Sequence, residues 1–176
     1  MNKISFYEDK HYYLSNFSSF EVKVRGFVFK TSEHAYQALR FNSKSPVFTK
    51  IFQARSAYEA KSIAHTHLHL QLEIYNTPDK RLPLMFEILI EKVLYDQTGY
   101  VKRNLMNTGD SYIYENSPYD FFWGIGADKS GENWLGKLWM IVRYRLNANM
   151  GNIGVRNIAV NKTAFINQYS RLWNME

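Results

Sequence analysis

The stretch FFWGIGADKSGENWLGKLWMIVR, Phe121–Arg143, carries the reading of this chain. Aromatic residues run into Gly124-Ile125-Gly126, Asp128 follows, Gly131 marks a second turn, and from Asn133 the pattern becomes helical. Leu135, Leu138 and Val142 recur at helical spacing, which predicts a loop feeding an amphipathic helix. The glycines are not a dinucleotide fingerprint, because the third is misplaced and no typical βαβ unit surrounds them. Lys129-Ser130 resembles the end of a phosphate-binding loop, but Asp128 stands where that loop needs glycine, and its carboxylate opposes a phosphate. Two readings stay open. One is a tight glycine turn that closes a core around Trp123. The other is a nucleotide pocket, in which Trp123 stacks on a ring, Asp128 stabilises positive charge developing on a sugar, and N–H groups near Asn133 hold a diphosphate.

Working outward, FEVKVRGFVFKT (Phe20–Thr31) alternates polar and apolar on both sides of Gly26 and predicts a β-hairpin or bent strand pair. Three short helices follow in series. TSEHAYQALRF opens on Thr31 or Ser32 as cap, with Glu33 in the first turn where the helix dipole favours a carboxylate. SPVFTKIFQA opens on Ser45 with Pro46 at the first helical position, and SAYEAKSIA has the capping-box spacing Ser56-x-x-Glu59. LPLMFEILIEKVLYDQTG is the longest helix, apolar on most sides and therefore central, with Gly99 as its expected stop. YVKRNLMNTG predicts another short helix, SYIYEN a short strand, and TAFINQYSRLW a weak helix in an Asn-rich tail. The expected fold class is α+β: one helix-dominated domain with a small β-hairpin or sheet element, over 1–150, and a C-terminal extension, 151–176, packed on it.

Composition narrows the function classes. The 176 residues are 45% hydrophobic and 22% charged, which suits one globular domain with a real core. Cysteine is absent, which removes disulfides and thiol chemistry. The opening MNKISFYEDKHYYL lacks the apolar core of a signal peptide, and no run approaches a membrane span, so a cytoplasmic protein without membrane association is expected. A net charge of +6 favours acidic partners, nucleic acid or phosphorylated ligands among them, and Lys102, Arg103, Arg143, Arg145 and Arg156 are the candidate contacts. The sequence does not fix the oligomeric state.

Two further constellations stand out. Glu33, Gln37 and Arg40 share one helix face, either to orient a sugar or a water, or as an exposed polar face opposite Ala35, Ala38 and Leu39. His65, His67 and His69 in HTHLH have the spacing of zinc ligands on a strand. No cysteine and no H-E-x-x-H pattern supports them, and histidine is favoured at a helix end, so no metal is expected.

LSNFSSFEV (Leu14–Val22), FKTSEHAYQALRF (Phe29–Phe41) and NTGDSYIYENSPYDFFWGIGADKSGENWLGKLWMIVR (Asn107–Arg143), in that order and separation, resemble the NADAR family, also called YbiA-like. The resemblance runs from about Phe6 to Arg145. Lys61 in EAK matches, whereas Ala64-His65 stands where the family usually has Gly-Arg, and IYNTPDKRLP replaces a Trp-bearing segment. The resemblance implies cleavage of N-glycosidic bonds. Some members act on ribosylated pyrimidine intermediates of riboflavin synthesis, and others remove ADP-ribose from guanine bases in nucleic acid. A non-catalytic reader of ADP-ribose or NAD-derived ligands is the alternative from another class. By resemblance, Glu33, Asp128 and Lys61 are catalytic, while Asn16, Phe17, Glu115, Trp123, Gly124, Gly126 and Asn133 contact substrate. No metal or redox cofactor is implied. Breaking a ribosyl C–N bond develops oxocarbenium character, which carboxylates stabilise, and a lysine amine can capture the opened sugar as an imine.

Overall fold

The computed structural model describes residues 2–8, 10–148 and 161–173. In chain order the elements are β1 (Lys3–Phe6), β2 (Val22–Val24), β3 (Phe27–Phe29), α1 (Ser32–Ala38), α2 (Pro46–Gln53), α3 (Ala57–Thr66), α4 (Leu82–Tyr95), α5 (Tyr100–Met106), β4 (Tyr112–Glu115), α6 (Trp134–Asn147) and α7 (Lys162–Tyr169). The fold is α+β, with seven helices and two two-stranded sheets among the described residues. Contacts group the chain into two compact units, Asn16–Gln97 and the remainder, which leaves at Ser15 and returns at Thr98.

In the Asn16–Gln97 unit, β2 and β3 form the expected hairpin, antiparallel with Val22 opposite Phe29 and Val24 opposite Phe27. Arg25 and Gly26 both have positive φ, the geometry of the tight primed turns whose twist suits a hairpin. The side chains of Val22, Val24 and Phe29 are buried, and Lys23 and Val28 point outward. The three helix caps act as their sequence predicts. Thr31 accepts from the His34 N–H, Ser45 from Phe48 and Ser56 from Glu59. Glu59 reaches back one residue further than a capping box requires, accepting from the Arg55 N–H at 2.7 Å. Phe27 and Phe29 meet Phe48 and Phe52 of α2 with ring centroids 5.0–6.3 Å apart. Helix α4 is central, with Leu82, Met85, Phe86, Ile88, Leu89 and Ile90 fully covered. It ends at Tyr95, before the expected stop. Gly99 is instead the left-handed residue that opens α5.

In the other unit, β4 pairs in parallel with β1, Ile113 opposite Ile4 and Glu115 opposite Phe6. Helix α6 packs on this pair and buries Leu135, Leu138 and Val142 as its spacing requires. Trp139 is fully buried and donates its indole N–H to the Leu14 carbonyl at 2.8 Å. Gly136 lets α6 approach the strand, because a Cβ there would stand 2.3 Å from the Ile113 carbonyl oxygen. The tail helix α7 lies against α6. Lys162 pairs with Glu132 at 2.6 Å and covers the rings of Phe122 and Trp134, while Lys137 lies over Trp134 and Trp173. Among the described residues no helix is long and apolar enough to cross a membrane.

The close approach at Gly136 makes a test. Gly136→Ala places a methyl group against strand backbone, which has no rotamer to yield. Overpacking of this kind costs ~1–3 kcal/mol, and urea denaturation should report a lowered midpoint despite alanine's better helix propensity.

Candidate functional site

The site residues expected from sequence fall into both units, and each group has its own geometry. In the Asn16–Gln97 unit, the Asn16 backbone carbonyl accepts from the Glu33 N–H at 2.9 Å, which fixes the segment before the hairpin against the start of α1. The Asn16 side chain is buried. Its amide approaches the Met85 sulfur at 3.4 Å, and its carbonyl oxygen has no hydrogen-bond partner among the described residues. Phe17 follows, with the Lys61 ammonium 5.8 Å from its ring centroid, so α3 delivers Lys61 to the segment that holds Asn16.

Glu33, Gln37 and Arg40 are 5%, 2% and 2% exposed, which corrects the exposed-face reading of this helix. They form a buried chain. Gln37 donates to a Glu33 carboxylate oxygen at 2.6 Å, Arg40 donates to the Gln37 carbonyl, and its other terminal nitrogen donates to Gln71 at 2.9 Å. The amide thus relays polarity between a carboxylate and a guanidinium that do not pair directly. Burial and the Arg81 charge lower the Arg40 pKa from its ordinary value, opposed by Tyr36 and Glu33. His34 is structural: its ring nitrogens meet Thr31 Oγ1 at 2.9 Å and the Ala54 carbonyl at 3.2 Å.

Sequence reasoning passed over Lys92. It is fully buried on α4, donates to Ser18 Oγ at 2.7 Å and lies over the Phe20 ring at 5.5 Å. Burial pushes its pKa down to about 7. The signal was present, since a helix read as apolar on most sides must bury any lysine it carries.

In the other unit, the loop 121–133 is built on itself. Asp120 accepts from the N–H groups of Phe122 at 3.0 Å and Trp123 at 2.7 Å, which sets the half-buried Trp123. Gly124 and Gly126 are buried, with the Phe121 ring closed over Gly126. Asp128 is exposed and accepts from both the N–H and the hydroxyl of Ser130, and these bonds lower its pKa from the ordinary carboxylate value. It is held as an anion and is not a proton donor near neutral pH. Glu115 closes the strand: its N–H donates to the Asn133 side chain and its carbonyl accepts from Ile125.

Asn133 corrects the sequence reading. Its backbone is left-handed, and its side chain does not cap α6. That side chain donates to the Ile113 carbonyl and the Tyr112 hydroxyl and accepts from Glu115, tying loop to strand. The N–H groups of residues 131–135 all donate to carbonyls of 121–125, so those of Asn133, Trp134 and Leu135 do not face a diphosphate. The basic residues also need correction. Arg143 and Arg145 are 7% and 5% exposed, and Arg143 donates to Thr108 and the Ser111 carbonyl. Lys102 and Arg103 are exposed, and Arg156 lies outside the described residues. Of the histidines, His67 and His69 stack with ring centroids 6.4 Å apart, and among the described residues no three His, Asp or Glu side chains are placed to hold a metal. His65 ends the helical face of α3, and His67 turns back to the Ile63 carbonyl.

A helix-dominated α+β fold with a buried Glu-Gln-Arg chain and an Asp-bearing glycine loop defines the class. Residues 5–147 match the NADAR domain model, and the chain belongs to that family. It is 34% identical over 145 residues to a riboflavin biosynthesis protein of Vibrio vulnificus (strain YJ016), covering 81% of this chain and 38% of that protein. It is 31% identical over 146 residues to an N-glycosidase of Nostoc punctiforme, covering 80% of this chain and 89% of the other. The solution structure of the E. coli protein YbiA superposes with a TM-score of 0.73 at 25% identity, over 86% of this chain and 88% of that one.

Lys92 gives a pH prediction with a worked sign. An unfolded lysine titrates near 10.4, so the folded state binds its proton less readily and is penalised below about 7. The penalty is relieved as pH rises from about 7 toward the unfolded value. Lys92→Met should therefore be more stable relative to wild type near neutrality, the gap narrowing by up to ~1.4 kcal/mol per pH unit on the way to pH 10. Denaturant titrations at several pH values read it. A gap that widens with pH would contradict the assignment.

Proposed function

We propose that this chain hydrolyses the N-glycosidic bond between a ribose and a base, with ADP-ribose on guanine in nucleic acid as its substrate. The observation that carries the reading is the buried Glu33 carboxylate, oriented by Gln37 and joined through its backbone to Asn16, whose side-chain carbonyl lacks a partner among the described residues. A nucleotide substrate has hydroxyl groups to donate to such an oxygen. The printed names of the Nostoc and Vibrio relatives, N-glycosidase and riboflavin biosynthesis protein, support the bond class.

In this reading water adds to C1 as the base leaves, the Glu33 carboxylate stabilises the oxocarbenium-like transition state and takes up the water's proton, and that proton ends on the leaving base. Lys61 offers a covalent route. The ribose ring opens to leave C1 as an iminium still joined to the base, the Lys61 amine adds to C1, the base departs with a proton taken from that amine, and water hydrolyses the resulting Lys61 imine to the C1 aldehyde and the free amine.

A second reading is favoured by the burial of Arg143 and Arg145, which removes two of the basic contacts on which a nucleic-acid preference rested. There the substrate is a ribosylated, phosphorylated aminopyrimidine of riboflavin synthesis, as the name of the Vibrio relative suggests. Incubation with ADP-ribosylated DNA and, separately, with the aminouracil ribotide, followed by mass spectrometry, decides between them. Release of ADP-ribose supports the first, and free aminopyrimidine supports the second. Loss of neither base would remove the glycosidase reading. Charge reversal at Lys102 and Arg103 should slow cleavage on DNA and steepen no salt dependence on a mononucleotide.

Two variants test the chemistry. Glu33→Gln keeps shape and should reduce turnover by at least a hundredfold while circular dichroism and melting stay near wild type. Borohydride added during turnover should trap a reduced adduct at Lys61. An active Lys61→Met variant with no adduct in wild type would leave direct hydrolysis.

A further inference from the structure

The outer face of α3 carries a cavity of about 430 Å³ lined by Tyr58, Lys61, Ser62, His65 and Thr66. Tyr58, Lys61, Ser62 and His65 stand at i, i+3, i+4 and i+7, so one helical face presents an aromatic ring, an ammonium, a hydroxyl and an imidazole in a column. Tyr58 is 74% exposed, a large ring with no covering partner of its size.

The charges acting on His65 share one sign, while Glu33 of α1 acts on Arg40. Lys61 of α3, Arg40 beyond the end of α1 and Arg81 before α4 all act on His65, and with its burial they hold its imidazole below the usual range. Arg40 is buried with its Nε unpartnered among the described residues. The carboxylate nearest in sequence, Glu59, is spent on the Arg55 N–H. Three cations and an imidazole beside a hydroxyl-lined groove leave a surplus of donors and positive potential, which an anion relieves.

We propose that this α3 groove is a subsite for the phosphate-ester part of a nucleotide, with Ser62 and protonated His65 on the phosphate oxygens and Tyr58 stacked on the nucleotide's ring. The proposal rests on the N-glycosidase reading, since Lys61 then stands between the ribose and the diphosphate of one ligand. Binding is coupled to protonation. An anion beside His65 favours its charged form, so the bound protein takes up a proton that the free protein, crowded by Lys61, Arg40 and Arg81, does not hold. Affinity therefore rises as pH falls, over the interval between the free and bound His65 values.

The test is calorimetry of the full chain with ADP-ribose between pH 8 and 5, a range in which the probe's diphosphate stays fully ionised. Wild type should tighten toward low pH by up to tenfold per unit. His65→Ala should bind more weakly and without that slope, while His65→Arg should bind tightly at every pH, because its cation is fixed. Tyr58→Ala should lose roughly tenfold, and Tyr58→Phe should bind as wild type does. A wild-type protein that fails to bind ADP-ribose, or a His65→Ala variant with unchanged affinity and slope, overturns the subsite, and binding of an unmodified oligonucleotide alone overturns the assigned source of the phosphate. The two readings fail separately. His65-dependent binding without cleavage of ADP-ribosylated DNA keeps the groove and removes the activity, and cleavage that ignores Tyr58 and His65 does the reverse.

Discussion

The loop 121–133 exists because the start of α6 donates its hydrogen bonds backward. Buried N–H groups must find acceptors, and those of residues 131–135 find them in the carbonyls of 121–125. That single constraint folds the loop onto the helix start, sets Trp123 through Asp120, and turns Asp128 outward with its anion satisfied by Ser130. Asn133 closes the arrangement by linking three groups of β4 through one side chain. Each part depends on the backbone pairing. A side chain lost from the loop removes a contact, but a backbone shift would orphan several buried donors at once.

The Asn16–Gln97 unit solves a different problem, that of keeping polar groups inside an apolar body. Glu33, Gln37, Arg40 and Gln71 share their hydrogen bonds in sequence, and Lys92 meets Ser18 beneath Phe20. Removing one member of the Glu33–Gln37–Arg40 chain leaves its neighbour buried and unsatisfied, a costlier state than an apolar replacement of the pair.

Much of this was legible in the sequence. Thr31, Ser45 and Ser56 cap as their chemistry dictates, Pro46 opens α2, the alternation around Gly26 gives the hairpin, and Leu135, Leu138 and Val142 mark the buried face of α6. These are local signals. Strand β1 was not legible, because Lys3–Phe6 is four residues whose strand character comes from a partner far along the chain. Arg143 and Arg145 read as surface cations because periodicity marks one covered face, and a helix covered on several sides hides the others. Asn133 read as the point where the helical pattern begins, and α6 starts directly after it. Its residue type was informative, but the left-handed backbone that redirects its side chain is a tertiary outcome. In the candidate site, resemblance singled out Asn16, Glu33 and Lys61, while the burial of the Glu33 chain and the state of Lys92 required packing.

The tail redraws the edge of the molecule. The family match stops at 147, yet Lys162 and Trp173 close over Trp134, Phe122 and Lys137 beyond that limit. Homology and packing therefore place the boundary of this unit at different residues. The indole at the head of α6 is roofed by a segment outside the shared domain, one free to change without disturbing the family's own motifs. The surroundings of Phe122 and Trp134 are thus set in part from outside the family's shared domain.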